Sequence, residues 1–420
     1  MKRTNTPDEQ TSEPPKISRT PIAAGPPVAA VPALVQDVAP VMQRIPGTVP
    51  AAAPVQREAP GASMCGAVLP DNYIVFPTGS SLLNTYMARD TGLGGFASGT
   101  ISNVVGDSGG GKTLLALSCF AEMAKNPKFN DYRFIFDDAE HALAFDLETM
   151  FGAEVARRIE PPREPRDAND NGSSATVEEW MDNMHAAGAD GRPFFYVLDS
   201  LDALPSEDEL DQIEDERKAR QGGKETSGSY GTAKAKRVGQ AIRTSLKLTD
   251  NTSSHIMILS QTRDKIGGYG GKGRSGGKGL QFFSSHVLWV SIKASIKRTV
   301  NKMEFEVGRT IEVLLDKNKT GGIRRKFLVN ILDHYGIDDL LSMLQYLEAC
   351  GCIGHEIDPK TKKPKKSSLH FEELGLTGVP DTIIKRIEEN GWESRVQSIL
   401  VRWVAKVEKS VLKGRKPRYA

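Results

Sequence analysis

Residues 106–113 read GDSGGGKT, an order of residue types suited to holding phosphate. Gly106, Gly109, Gly110 and Gly111, with Asp107 and Ser108 among them, let successive backbone N–H groups turn inward around phosphate oxygens. The apolar pattern after Thr113 predicts a helix whose N-terminus adds partial positive charge. This is the Walker A pattern in a strand, loop, helix setting. Lys112 is placed to reach the β- and γ-phosphates of a nucleoside triphosphate, and the Thr113 hydroxyl to ligate Mg²⁺. Residues 195–200, FYVLDS, form an apolar run ending in Asp199, as a Walker B strand does, where the acid holds Mg²⁺ beside the phosphate loop. Residues 134–142, FIFDDAEHA, predict a strand followed at once by acids. Glu140 is the candidate for orienting or deprotonating an attacking water. Asp137 and Asp138 are its rivals, with capping as their other reading.

Elements must hold these groups together. Apolar runs at 100–105, 133–136, 194–198, 255–259, 287–292, 310–315 and 325–330 predict strands, and periodic patterns at 113–124, 177–187 and 234–248 predict helices between several of them. Such alternation predicts an α/β fold with a mostly parallel central sheet. Residues 1–66 hold twelve of the 24 prolines and no Phe, Tyr or Trp, so they are predicted to form a disordered Pro/Ala-rich tail. Residues 67–355 are predicted to be the folded core that carries the phosphate loop. Residues 356–420 are predicted to be a small basic domain, with five lysines at 360–366 as a linker and two amphipathic helices within 383–411.

Charge narrows the function. The 420 residues carry 55 Lys+Arg against 53 Asp+Glu, a net +2, which excludes coating nucleic acid by bulk charge and leaves any contact to local patches. Residues 355–420, with fifteen basic residues against nine acidic ones, are one such patch. Residues 262–279 are another: eight glycines, five basic residues and one acid predict a structureless loop that tracks phosphates. Lys265, Lys272, Arg274 and Lys278 supply the charge, and Tyr269 an aromatic face for a base. The segment 204–237 is split, with seven acids and no base at 207–216 and basic residues from Arg217 onward. Four cysteines give neither a disulfide framework nor a zinc spacing, and no apolar run reaches the length of a membrane span or a secretory leader. A soluble, cytoplasmic protein is the expectation.

Five strings in order resemble the RecA family of ATP-dependent strand-exchange proteins, including phage members of the UvsX type. FPTGSSLLNTYM at 76–87 is similar to the segment ahead of that family's phosphate loop. DAEHAL at 138–143, LDSLDAL at 198–204, IMILSQ at 256–261 followed by the glycine-rich loop, and KNK at 317–319 complete the series. The resemblance implies ATP and Mg²⁺ as cofactors and Glu140 as the water-activating carboxylate. It further implies Gln261 as a sensor of the γ-phosphate, and Lys317 and Lys319 as cations reaching a neighbouring protomer's γ-phosphate. Residues 262–279 then correspond to the second DNA-binding loop, and 204–237 to the region of the first.

The implied function is a DNA-dependent ATPase that forms a filament on single-stranded DNA, with ATP at protomer interfaces, and pairs it with homologous duplex in recombination and repair. Single-strand-binding or mediator proteins are the implied helpers. The rivals are a hexameric DnaB-like helicase and an ATP-binding mediator without catalysis. Departures mark a divergent member. Leu147 stands where bacterial members place the aromatic that stacks on adenine, the C-terminal end is basic rather than acidic, and the N-terminal tail has no counterpart.

Overall fold

The apolar runs predicted as strands lie side by side in a single sheet. The computed structural model describes residues 74–88, 94–143, 146–221, 232–264, 272–274, 277–322, 324–411, 413 and 415. In chain order, β1 (Val75–Phe76), α1 (Ser81–Met87) and β2 (Phe96–Ala97) lead into β3 (Thr100–Gly106), which feeds the phosphate loop. There follow α2 (Lys112–Ala124), β4 (Arg133–Asp138), α3 (Leu147–Phe151), α4 (Ala153–Arg158), β5 (Ile159–Glu160), α5 (Val177–Ala187) and β6 (Phe194–Asp199). Next come α6 (Glu207–Gln221), α7 (Thr232–Asn251), β7 (His255–Asp264), β8 (Lys272–Arg274), α8 (Gly277–Phe283), β9 (His286–Val300) and β10 (Met303–Asn318). β11 (Arg325–Leu332), β12 (Gly336–Asp338) and α9 (Asp339–Ala349) precede β13 (Gly354–Ile357), β14 (Pro364–Phe371), β15 (Leu376–Gly378), α10 (Pro380–Asn390) and α11 (Glu393–Val411).

The main sheet runs β12-β11-β10-β9-β3-β7-β6-β4-β5, with β8 attached to β7. From β9 to β5 neighbouring strands are parallel, and from β9 to β12 they are antiparallel. Strand alternation divides its side chains between two layers. Phe134 and Phe136, Phe195 and Val197, and Met257 and Leu259 join one apolar cluster, while Ile135, Tyr196 and Ile258 join the other. The first cluster includes Leu115, Leu117 and Phe120 of α2. The second includes Val177, Trp180 and Met184 of α5 and Val238 and Ile242 of α7. Both faces of the parallel strands are therefore covered, which is why they read as continuous apolar runs.

Two local expectations change, and the acidic run acquires a definite structure. The basic run 360–366 is not a linker: it spans the turn from β13 into β14, where Lys362 N donates to Asp358 O at 2.9 Å. Apolar residues of the C-terminal part, Phe371, Ile387 and Leu400 among them, belong to the same cluster as α2. The acidic run 207–216 lies in α6, a mostly charged helix that buries none of its side chains and leaves Leu210 and Ile213 exposed. Finally, the ends of the glycine-rich segment are regular. β7 continues to Asp264, and β8 pairs back on it with Thr262 opposite Arg274 and Asp264 opposite Lys272. Among the described residues no helix is long and apolar enough to cross a membrane.

Candidate functional site

The candidate residues gather at the C-terminal edge of the parallel strands, the edge where ligands of such sheets bind. Register explains it: Gly106 ends β3 level with Gln261 of β7, and Asp138 ends β4 level with Asp199 of β6. The loop leaving Gly106 turns into α2 through Gly111, whose φ of 83° is left-handed and where a Cβ would stand 2.6 Å from Ile331 Cδ1 and force that side chain to shift. Within this loop Gly110 N donates to Asp107 O at 3.1 Å. Lys112 is buried and donates from Nζ to the carbonyls of Gly106 and Asp107, both at 3.0 Å. Its ammonium is thereby held across the mouth of the loop. Ser108 and Gly109 are exposed there.

Thr113 and Asp199 meet, with Thr113 Oγ1 donating to Asp199 Oδ2 at 2.5 Å. Burial pushes the Asp199 carboxyl up to about 6, opposed by the Thr113 hydrogen bond. A hydroxyl and a buried carboxylate side by side are hard oxygen donors, and they fit Mg²⁺.

Position separates the three acids at the end of β4 and just beyond it. Asp137 is turned into the layer beneath, where it accepts from Ser174 N at 2.8 Å, Ser174 Oγ at 2.6 Å and Tyr196 Oη at 2.6 Å. Burial raises its carboxyl above the ordinary range. Asp138 caps the next turn, accepting from Ala142 N at 3.0 Å and Leu143 N at 3.1 Å. Glu140 alone of the three faces the other strand ends: it accepts from Ser200 Oγ, and from Gln261 Nε2 at 2.9 Å. The capping role weighed for the aspartates thus describes Asp138, and a packing role describes Asp137.

Gln261 is held twice, since its own N donates to Asp202 Oδ2 at 2.7 Å. The next residue, Thr262, donates from Oγ1 to the Asp107 carboxylate in the phosphate loop. The start of the glycine-rich segment is therefore bonded to both the acid site and the phosphate loop. Lys265 and Tyr269 lie outside the described residues. Lys272 and Arg274 fall on β8 and Lys278 on α8, described by their backbone.

Lys317 and Lys319 are not brought to this site. The register of β10 on β9 puts Lys317 opposite Val287 and Asn318 opposite His286, and His286 is level with Ser102 near the start of β3. Lys317 Nζ there donates to Gln281 O at 2.7 Å and Phe282 O at 2.9 Å, at the C-terminal end of α8. Basic residues of 204–237 are likewise engaged: Arg237 pairs with Glu178 at 3.2 Å and Asp208 at 3.4 Å, and Lys218 with Glu214 at 3.0 Å.

A cavity of about 710 Å³ adjoins the phosphate loop, walled by residues 109–114, by Asp146, Thr149 and Met150 around α3, and by Arg309 with residues 331–334. Leu147 packs against the apolar core instead, and Phe145 lies outside the described residues. Residues 69–338 match the RecA N-terminal domain. The chain belongs to the RecA family. It is 28% identical over 293 residues to Protein RecA of Mycoplasma mycoides, covering 69% of this chain and 73% of that protein. It is 29% identical over 290 residues to Protein RecA of Aquifex aeolicus, covering 67% and 73%. It is 27% identical over 260 residues to the mitochondrial DNA repair protein recA homolog 3 of Arabidopsis thaliana, covering 60% and 52%.

Sequence reasoning missed Asp202, Thr262, Arg309 and Asp333 in this RecA-family chain. For Arg309 a signal existed: Arg309, Ile311, Val313 and Leu315 alternate along one strand face, and a cation in that apolar register marks a special position. Asp202 and Thr262 carry no pattern of their own, because their partners arrive from other strands.

Proposed function

We propose that this RecA-family chain is a DNA-dependent ATPase that assembles as a filament on single-stranded DNA and exchanges strands with homologous duplex. The observation that carries the reading is the hydrogen bond from Gln261 to Glu140, because it joins the candidate water-activating carboxylate to the residue that leads into the glycine-rich hairpin. On this reading the phosphate loop amides and Lys112 bind the triphosphate, Lys112 exchanging two backbone carbonyls for phosphate oxygens. Thr113 and Asp199 would hold Mg²⁺, which would supply positive charge to neutralise the phosphates. Glu140 accepts the proton of the attacking water, with Ser200 and Gln261 fixing its orientation.

The switch follows from the same bonds. A γ-phosphate that engages Gln261 draws its amide from Glu140, and Gln261 begins the segment carrying Lys265, Tyr269, Lys272, Arg274 and Lys278. ATP and DNA then favour the same arrangement, so each tightens the other's binding. Lys317 and Lys319, on the far edge of the sheet from their own phosphate loop, complete the site of the adjoining protomer. Residues 67–355 form the ATPase core, the basic residues of 356–420 gather duplex DNA, and the setting is the cytoplasm.

The test is strand exchange between a circular single strand and homologous linear duplex with ATP. Joint molecules from the wild-type protein and none from Lys112→Ala are expected. Unwinding of a forked duplex without homology would instead support a ring helicase. Nucleotide binding with no DNA-stimulated turnover would support a mediator.

A further inference from the structure

The register of β10 on β11 sets Arg309 opposite Ile331, and strand alternation puts it on the face of Ile311, which approaches Gly111 of the phosphate loop. A guanidinium therefore projects over the loop from an otherwise apolar run. Its Nη1 donates to Gly109 O at 3.0 Å and its Nη2 to Asp333 Oδ1 at 3.2 Å. Both side chains wall the cavity beside the loop and both are partly open to solvent, at 32% and 42% exposure. An ion pair so exposed is weakly held and readily exchanged. The planar fork of arginine matches phosphate geometry, and Gly109 lies in the segment whose amides face the phosphates.

We propose that Arg309 is a nucleotide-binding residue of its own protomer, leaving Asp333 to contact the phosphate oxygens shared by a nucleoside diphosphate and a triphosphate. The inference rests on the nucleotide reading of the phosphate loop. It assigns Arg309 a part distinct from Gln261, Lys317 and Lys319, which respond to the γ-phosphate alone. Loss of the guanidinium must then weaken ADP and ATP alike.

The experiment is equilibrium titration of a fluorescent ADP, with displacement by unlabelled ADP and ATP, without DNA. Arg309→Gln is expected to weaken both nucleotides by about tenfold or more, as loss of a charge-assisted phosphate contact does. Arg309→Lys should recover part of that loss. Asp333→Asn breaks the same ion pair but keeps the guanidinium, so it should bind at least as tightly as wild type. Equal weakening by Arg309→Gln and Asp333→Asn would make the pair a structural brace and overturn the proposal. So would wild-type affinity in Arg309→Gln when Lys112→Ala has lost binding. Wild-type affinity in Lys112→Ala would instead remove the nucleotide reading itself.

Discussion

Gly111→Ala is the substitution whose consequence follows most directly from the structure of the phosphate loop. At φ 83° an alanine sits in the left-handed region, at a cost of about 1–2 kcal/mol. Its Cβ would stand 2.6 Å from Ile331 Cδ1 and 3.7 Å from Ile311 Cδ1, and overpacking of this kind costs about 1–3 kcal/mol. Together these give about 2–5 kcal/mol against the observed loop. Because a half-buried loop releases strain by shifting, the cost should be read in nucleotide affinity, as a loss of about thirtyfold or more for ADP. Ile331→Val deletes the clashing carbon at about 0.5–1.5 kcal/mol to the fold. Adding it to Gly111→Ala should restore about tenfold in affinity while the backbone strain stays. Fluorescent ADP titration, with thermal unfolding as control, reads both. Wild-type affinity in Gly111→Ala would refute the backbone argument, and a double variant no better than the single one would refute the steric argument.

Other expectations concern the interface, the loop and the fold. Lys317→Ala should lower DNA-stimulated turnover, and mixing it with inactive Glu140→Gln protein should restore activity at about a quarter of the interfaces if sites are shared between protomers. Rescue cannot come from repair of the α8 end, where Lys317 also bonds, so no rescue would refute the shared site. Replacing Lys272, Arg274 and Lys278 by alanine should flatten the salt dependence of single-strand binding by about two units of log–log slope, and an unchanged slope would take the segment off the DNA path. Asp339 accepts from Ser81 N at 2.8 Å and Ser81 Oγ at 2.6 Å, and burial pushes its carboxyl up to about 6. With the folded value above the unfolded one, its stabilising contribution is full below about pH 4 and is lost as pH rises through 6. Asp339→Asn keeps an acceptor for Ser81 N and can donate from its amide to Ser81 Oγ, the second bond reversed, without titrating. Wild type should therefore lose about 2 kcal/mol relative to the variant between pH 4 and pH 8, the full linkage value of about 3 being trimmed by partial exposure. Urea midpoints test this, and a gap independent of pH would contradict it.

The phosphate loop, the Walker B strand and the Glu140 segment were legible because each is a contiguous string whose chemistry and flanking elements are local. The parallel strands were legible for a related reason: burial on both faces leaves an unbroken apolar signature in β4, β6 and β7. What escaped depends on register. Glu140 could not be told from Asp137 and Asp138 until β4 and β6 were paired, which turned Asp137 under Tyr196 and Asp138 toward the next turn. Arg309 and Asp333 meet only because β10 and β11 are antiparallel, 24 residues apart in sequence. The ordering of β8 was hidden by composition, since glycine and lysine oppose strand formation locally while pairing with the extended β7 favours it.

The central claim is assembly on single-stranded DNA under nucleotide control. Electron microscopy of the full chain with single-stranded DNA, Mg²⁺ and a non-hydrolysable ATP analogue tests it most directly. Continuous helical filaments that disappear without nucleotide are the predicted result. Closed six-membered rings, or unassembled protein bound to nucleotide, would contradict it.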